Sequence, residues 1–428
     1  MISKTRLALF LFAILAWGGR TSARAEDPKT DPSPPPVRLA DVVREALDRN
    51  PEIQEARRNV DARRARIPQA KAWPDPTVTL GYGGNLLPPY TLMRGDPSSQ
   101  RQFMAEQTIP YPGKTRLRGQ IAAREAEAEA TTIEEASRRI TAEVKQTYFD
   151  LYSTDRALAT ILLDRQVLQK LAKVAEIRYS VGKAAQQDVI QAQLELSRLT
   201  ERQTMLEQTR QTLEAQLNSL RDLPVDSPVG PVEEIRQSAL PQTMEELQSA
   251  AVASFPVLKR RQLTTEREQL AVNLARREVR PDFSVGYTYM QRDGMPDMYG
   301  ITFSTSLPIF RRSKQDQAIR EAAYSLEASR RGEANQLTLL RYRVKQDFLE
   351  AQAAARLLGL YGQALVPQSK LALESSLASY ETGAIDFQAV LGNFTTVFEY
   401  ELNVHQQLAT HEKALARLEE LTGLELVR

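Results

Sequence analysis

Hydrophobic residues along this chain follow two rhythms. Between Gln120 and Val181 there is neither Gly nor Pro, and Ile133, Ala136, Ile140, Val144, Tyr148 and Leu151 step by three and four. That spacing marks one face of a helix. As one helix or two end to end, the stretch predicts a rod of about 90 Å at roughly 1.5 Å per residue. The same steps return at Leu337, Leu340, Val344, Phe348 and Ala351. Arg, Glu, Gln and Lys fill the positions between, so each helix keeps a wide wet face. Taken alone, an elongated coiled-coil spacer satisfies this pattern as well as any other fold.

The second rhythm has period two. Thr77–Tyr82, Phe283–Tyr289 and Tyr299–Leu307 alternate apolar with small or polar residues, and Gln102–Ile109 does so more weakly. Strands are expected near 76–84, 101–110, 282–291 and 298–308. One face would carry Tyr, Ile, Phe and Leu, the other Gly, Thr and Ser. Such alternation suits a half-buried strand of a soluble sheet, and at this length it also suits a transmembrane β-strand. Two observations favour the membrane. The helices have little unclaimed apolar surface to cover a sheet, and Trp73, Tyr111 and Phe310 lie just beyond the strand ends, where interfacial aromatics belong. Four strands cannot close a barrel or leave open edges in lipid, so two or three copies of the chain must contribute to one barrel.

The chain is duplicated. Val144-Lys145-Gln146 recurs at Val344-Lys345-Gln346, and Tyr179-Ser180-Val181-Gly182 is answered by Tyr380-Glu381-Thr382-Gly383. Thr108-Ile109-Pro110 answers Ser306-Leu307-Pro308, Pro74-Asp75 answers Pro281-Asp282, and Asn50-Pro51 answers Phe255-Pro256. A nearly constant offset in unchanged order argues for a repeated unit. The first copy is expected over 39–222 with a tip turn at 179–187. The second is expected over 242–428 with a tip turn at 380–388, and the Pro-rich stretch 223–241 connects them. Lys4 and Arg6, the apolar run Leu7–Trp17 and Ala23-Arg24-Ala25 read as a secretory signal over 1–25. Residues 26–38, rich in Pro and polar groups, read as a flexible leader.

Composition removes whole classes of function. Of 428 residues, 56 are Lys or Arg and 54 are Asp or Glu, a net charge of +2 that supplies no field for nucleic acid. The absence of cysteine excludes disulfides, thiol chemistry and a lipid anchor on cysteine. A hydrophobic share of 42% is too low for a polytopic helical membrane protein. His405 and His411, six residues apart on a helix, would point away from each other, so no metal site is expected. No phosphate loop, nucleophile elbow or other catalytic constellation is present, so neither an enzyme nor a cofactor is implied. Met93, Met104, Met290, Met295 and Met298 gather in the strand and loop regions. They could touch soft cations, but gap filling is the plainer reading.

Together, the signal, the duplicated helix–hairpin–helix–turn–helix unit and the Tyr-x-x-Gly turns resemble the TolC family of outer-membrane efflux proteins. The most specific match is Arg178-Tyr179-Ser180-Val181-Gly182 followed by Asp188-Val189-Ile190. Gln107–Lys114 resembles the heavy-metal, RND-associated branch. The resemblance implies a mainly α fold with a small β part. As a homotrimer it would form a twelve-stranded β-barrel in outer-membrane lipid and an α-helical barrel across the periplasm. Its function would be a passive exit duct for small-molecule or metal-ion cargo, working with a periplasmic adaptor and an RND-type inner-membrane transporter. A type I protein-secretion channel would share the fold. A periplasmic adaptor is a further alternative, but the duplication speaks against it.

Carried over by position, Tyr179, Val181, Gly182, Lys183, Tyr380, Thr382, Gly383 and Ala384 would form the adaptor-docking tip, and Asp188 with Tyr380 the periplasmic gate. The residues themselves make Gly182 and Gly383 turn positions, and make Asp188 with Gln191 a capping box. The family's gate arginine would fall at Ile385 and its acidic constriction at Ala389 and Gly392. Asp386 is the acidic group nearest in sequence that could serve the gate instead.

Overall fold

The structure, a computed structural model, describes residues 36–84 and 91–427. The expected signal segment and residues 26–35 of the expected leader lie outside them. The first copy runs α1 (Leu39–Arg49), α2 (Pro51–Lys71), β1 (Thr77–Gly83), β2 (Gln100–Ile109), α3 (Lys114–Ser180) and α4 (Gln186–Leu220). The second repeats the order with α5 (Met244–Ser254), α6 (Pro256–Glu278), β3 (Phe283–Gln291), β4 (Met298–Thr305), α7 (Gln315–Leu360), α8 (Val366–Thr382) and α9 (Phe387–Thr422).

Local chemistry sets these boundaries in matching ways. Pro51 and Pro256 occupy the first positions of α2 and α6, where a missing N–H costs nothing. The Asn50 side chain accepts from Glu52 N at 2.9 Å, and Thr243 with Glu246 closes a capping box on α5. β4 ends three residues before the expected 308, since Pro308 has no N–H for a ladder. Residues 36–38, expected within the leader, are instead tied to the connector. Val37 donates to Pro231 O at 2.9 Å and bridges Val232, and Arg38 pairs with Glu233 at 2.9 Å.

α3 is 67 residues long, about 100 Å at roughly 1.5 Å per residue. Its counterpart in the second copy is broken: a π-helical turn, Tyr361–Leu365, separates α7 from α8. Pro367 is the second residue after it. A proline there cannot donate to the carbonyl four residues back and its ring crowds that carbonyl, so the helix widens by a residue.

Three hydrophobic clusters hold the helices. The first joins α1, α3, α4 and α9 to the connector through Val42, Tyr148, Tyr152, Leu217, Leu408 and Val232. A second joins α5, α7 and α9 through Leu247, Leu340, Val344 and Leu415. The third lies toward the turns, with Ile161, Leu168, Tyr380, Phe387 and Phe394. β1–β2–β3–β4 form one antiparallel sheet in chain order, so among the described residues β1 and β4 are its two free edges.

Candidate functional site

The register sorts the sheet into two unlike faces. Tyr289 pairs with Tyr299, Tyr287 with Ile301 and Val285 with Phe303. Across β2 and β1 the same face continues through Phe103, Ala105, Leu80 and Val78. Ile301, Leu80 and Phe303 are 80%, 78% and 74% exposed, although they form the most apolar surface on the sheet. No helix covers it. The opposite face carries Thr79, Gln102, Thr108, Ser284, Gly286, Thr288, Gly300, Thr302 and Ser304.

The helix-side end of the sheet is fixed by a buried charge. The Lys114 side chain, 2% exposed at the start of α3, sits 2.8 Å from Asp282 Oδ1 and 3.1 Å from Glu278. Tyr111 N donates to the same Asp282 oxygen at 2.7 Å. Burial pushes the Asp282 carboxyl up, but these hydrogen bonds and the Lys114 and Arg118 charges outweigh it and hold the pKa below the ordinary value. Around this joint stand the three expected interface aromatics. Trp73 and Phe310 are exposed and Tyr111 is half-buried. Tyr82, Tyr289 and Tyr299, at the other end of the apolar face, make a second aromatic group that the sequence reading did not single out. The Tyr289 and Tyr299 rings lie 5.4 Å apart. Their alternation within the strands was the available signal.

The two helical turns are built alike. Lys183 N donates to Arg178 O at 2.8 Å and Gly182 N to Tyr179 O at 2.9 Å; Ala384 N donates to Ser379 O at 2.9 Å and Gly383 N to Tyr380 O at 3.0 Å. Gly182 has φ 72° and Gly383 φ 83°, the left-handed geometry that closes such a turn. The turns are tighter than expected. α3 continues to Ser180 and α4 resumes at Gln186, while α8 reaches Thr382 and α9 begins at Phe387.

Tyr179, Val181, Gly182, Lys183, Thr382, Gly383 and Ala384 are exposed at these turns. Tyr380 is not: it is 2% exposed and packs edge-on against Phe387 with centroids 5.7 Å apart, so it cannot offer a docking surface. Asp188 does not cap its helix either. The N-cap of α4 is Ala185, which has no side-chain bond, and Asp188 stands three residues further in. The capping aspartate is Asp386, whose carboxylate accepts from Ala389 N at 2.9 Å. Asp188 does meet Tyr380. Burial first, then the Asp188 carboxylate, raises the Tyr380 pKa, and Arg178 opposes them.

Arg178 is the residue that sequence reasoning named without giving it a role. Its guanidinium donates to the Tyr380 carbonyl, lies 4.5 Å from the centroid of the Tyr380 ring and reaches Lys183 O at 3.3 Å. One planar cation therefore ties the first turn to the second. Ile385 is half-buried in the cluster by the turns, and Ala389 and Gly392 are exposed on α9.

The histidines are not brought together. His405 lies edge-on to Tyr152 at 6.0 Å, with its pKa lowered by burial and by Arg156. His411 is buried between the carbonyls of Ala351 and Ser238 at 2.9 and 3.0 Å. Among the described residues no group of three or more His, Asp or Glu could hold a metal, and no helix is long and apolar enough to cross a membrane. A cleft of about 1190 Å³ opens beside α1, α3 and the connector. Among its charged groups Arg38 pairs with Glu233 and Lys145 with Glu419.

Residues 42–221 match the family model described as outer membrane efflux protein. Over these residues the chain is similar to the outer membrane efflux protein family. The likeness of fold extends over both copies. The outer-membrane channel OprN superposes with a TM-score of 0.77 at 15% identity, over 90% of this chain and 89% of its own. CusC gives 0.77 at 14% identity over 90% and 91%. VceC of Vibrio cholerae gives 0.76 at 16% identity over 90% and 96%. A sequence comparison with curated proteins returned no match.

Proposed function

We propose that this chain is the outer-membrane channel of a tripartite efflux system, a passive duct that works as a homotrimer. The observation that carries the reading is the sheet: one face apolar and exposed, the other polar, both edges free, and continuous at Lys114 with a helix about 100 Å long. Lipid is the solvent in which such a face costs nothing, and free edges are acceptable there only if neighbouring copies pair them. Three copies would close twelve strands around the polar face. The two aromatic groups, Trp73 with Tyr111 and Phe310 at one end and Tyr82 with Tyr289 and Tyr299 at the other, would sit at the two membrane interfaces.

The helices lead away from the membrane into the periplasm and end in the two Gly turns. Val181, Lys183, Thr382 and Ala384 would meet the α-hairpins of an adaptor, and an RND-type transporter would supply the energy. At the gate, Asp188 faces Tyr380 from the first copy and Arg178 holds the Tyr380 carbonyl, while Asp386 serves α9 as its cap. Reconstitution tests the reading. The full chain extracted from outer membranes in detergent should run as a trimer and conduct ions in planar bilayers. A water-soluble monomer without conductance would overturn it.

A further inference from the structure

The helix-side end of the sheet carries charge of one sign. Arg276, Arg277 and Arg280 stand where α6 gives way to β3, and Arg311, Arg312 and Lys314 where β4 gives way to α7; all six are exposed. The carboxylates among them are already engaged. Glu278 and Asp282 hold Lys114, Glu278 also takes Arg118 at 2.7 Å, and Asp316 takes Arg311 at 3.3 Å. Arg276, Arg280, Arg312 and Lys314 form no ion pair among the described residues. The loops at the other end of the sheet differ: Arg94 and Arg292 are outnumbered there by Asp96, Asp293 and Asp297.

A cleft of about 250 Å³ lies within this cationic end, lined by Arg280 and Lys314 and by Leu307, Ile309 and Phe310. The three apolar residues are exposed, as are Phe303 and Ile301 further along β4. Lys114, Glu278 and Asp282 line the cleft as well. Lys114 and Arg118 offset those two carboxylates, so Arg280 and Lys314 remain as the excess charge. The volume falls below the roughly 300–1,000 Å³ of sites that enclose a drug-sized molecule. It suits one headgroup whose tail lies outside.

We infer that this cleft binds the headgroup of an anionic phospholipid in the leaflet next to the helices. The phosphodiester would meet a guanidinium fork at Arg280 and a compact ammonium charge at Lys314. Its acyl chains would pass Leu307, Ile309 and Phe310 to reach the apolar face of the sheet. Basic side chains beside a membrane are drawn to anionic headgroups, each adding roughly fivefold in affinity near the surface. An acidic protein would need the charges alone; the apolar residues joined to them select a lipid. The inference rests on the duct reading in placing the sheet across a membrane.

The test mixes the detergent-solubilised full-length protein with equal amounts of phosphatidylglycerol and phosphatidylcholine and counts retained lipids by native mass spectrometry. Wild type should retain phosphatidylglycerol in preference. Arg280→Gln/Lys314→Gln should weaken that preference by at least about tenfold. Lys170→Gln/Lys345→Gln removes the same charge tens of ångströms away along α3 and α7, and should behave as wild type does. Should the first double variant fail to assemble, Arg280→Gln alone carries the comparison, with a loss of about fivefold. No preference in wild type, or an equal one in Arg280→Gln, would overturn the site. Inorganic phosphate should not displace the lipid; displacement at equal concentration would leave a phosphate site only and overturn the lipid assignment. Conductance separates this claim from the duct. A conducting trimer with no lipid preference rejects the site alone, whereas a monomer without conductance rejects the duct and with it the membrane placement that the site requires.

Discussion

Arg178 and Tyr380 decide how the two turns are held. The Arg178 guanidinium uses three features of Tyr380 and its surroundings: a carbonyl, a ring face and the neighbouring Lys183 carbonyl. Arg178→Ala should raise the resting conductance of reconstituted trimers. Arg178→Lys should not restore it, because an ammonium cannot bond and stack in one plane. Unchanged conductance in both variants would remove Arg178 from the gate. Asp386→Ala should lower thermal stability by about 1 kcal/mol through loss of a cap, and Asp188→Ala should cost less, since Asp188 caps nothing. Asp164, on α3, is a different case. Burial, reinforced by Glu401 and opposed by Lys370, pushes its carboxyl from 3.8 to about 7, and Oδ2 has no hydrogen-bond partner. Below pH 3.8 the group is neutral in folded and unfolded chains alike. As pH climbs toward 7 the unfolded chain ionises first, so stability drains across that window. Asp164→Asn should therefore raise the melting temperature at pH 8 and leave it almost unchanged near pH 4. Equal gains at both values would show that charge is not the cause.

Among the elements, the strands and turns carry different constraints. Ile301 and Thr302 are neighbours on β4 that face opposite ways. Ile301→Arg would put a charge on the lipid face at a cost of about 2–4 kcal/mol near mid-membrane, whereas Thr302→Arg would face water. Trimer yield should fall for the first variant and hold for the second; similar yields would argue that both faces are wet. Gly182 and Gly383 share a backbone geometry but not surroundings. A Cβ at Gly182 would meet open space, while one at Gly383 would lie 3.2 Å from Arg178 Nη2. Both alanine variants pay the left-handed penalty of roughly 1 kcal/mol, and Gly383→Ala should unfold at the lower temperature of the two. The sequence reading located these turns because glycine is the signal. It overestimated their length, because helix ends carry no residue as telling as the glycine that follows them.

For the whole molecule the decisive property is the pair of free edges, β1 and β4. In a closed assembly β4 of one copy must pair with β1 of the next. The natural chain has no cysteine, so introduced pairs report without background. Thr79→Cys combined in turn with Gly300→Cys, Thr302→Cys or Ser304→Cys should crosslink copies into a covalent trimer in at least one register. Monomer under oxidising conditions in every combination would count against barrel closure by neighbours.

Sequence alone determined the periodicities, the duplication and the strand positions, because each depends only on residues near one another along the chain. The step of three and four through Ile133–Leu151 needs no partner to be read, and neither does the alternation of Tyr299–Leu307. Tertiary structure alone decided what depends on neighbours far apart in sequence. It put Tyr380 inside rather than on the surface, gave Arg178 a role 202 positions away in the second copy, and left α4 without a side-chain cap while Asp386 caps α9. The physical reason is the same in each case: burial and convergence are properties of packed elements, and packing is fixed by contacts that no local pattern of residues contains.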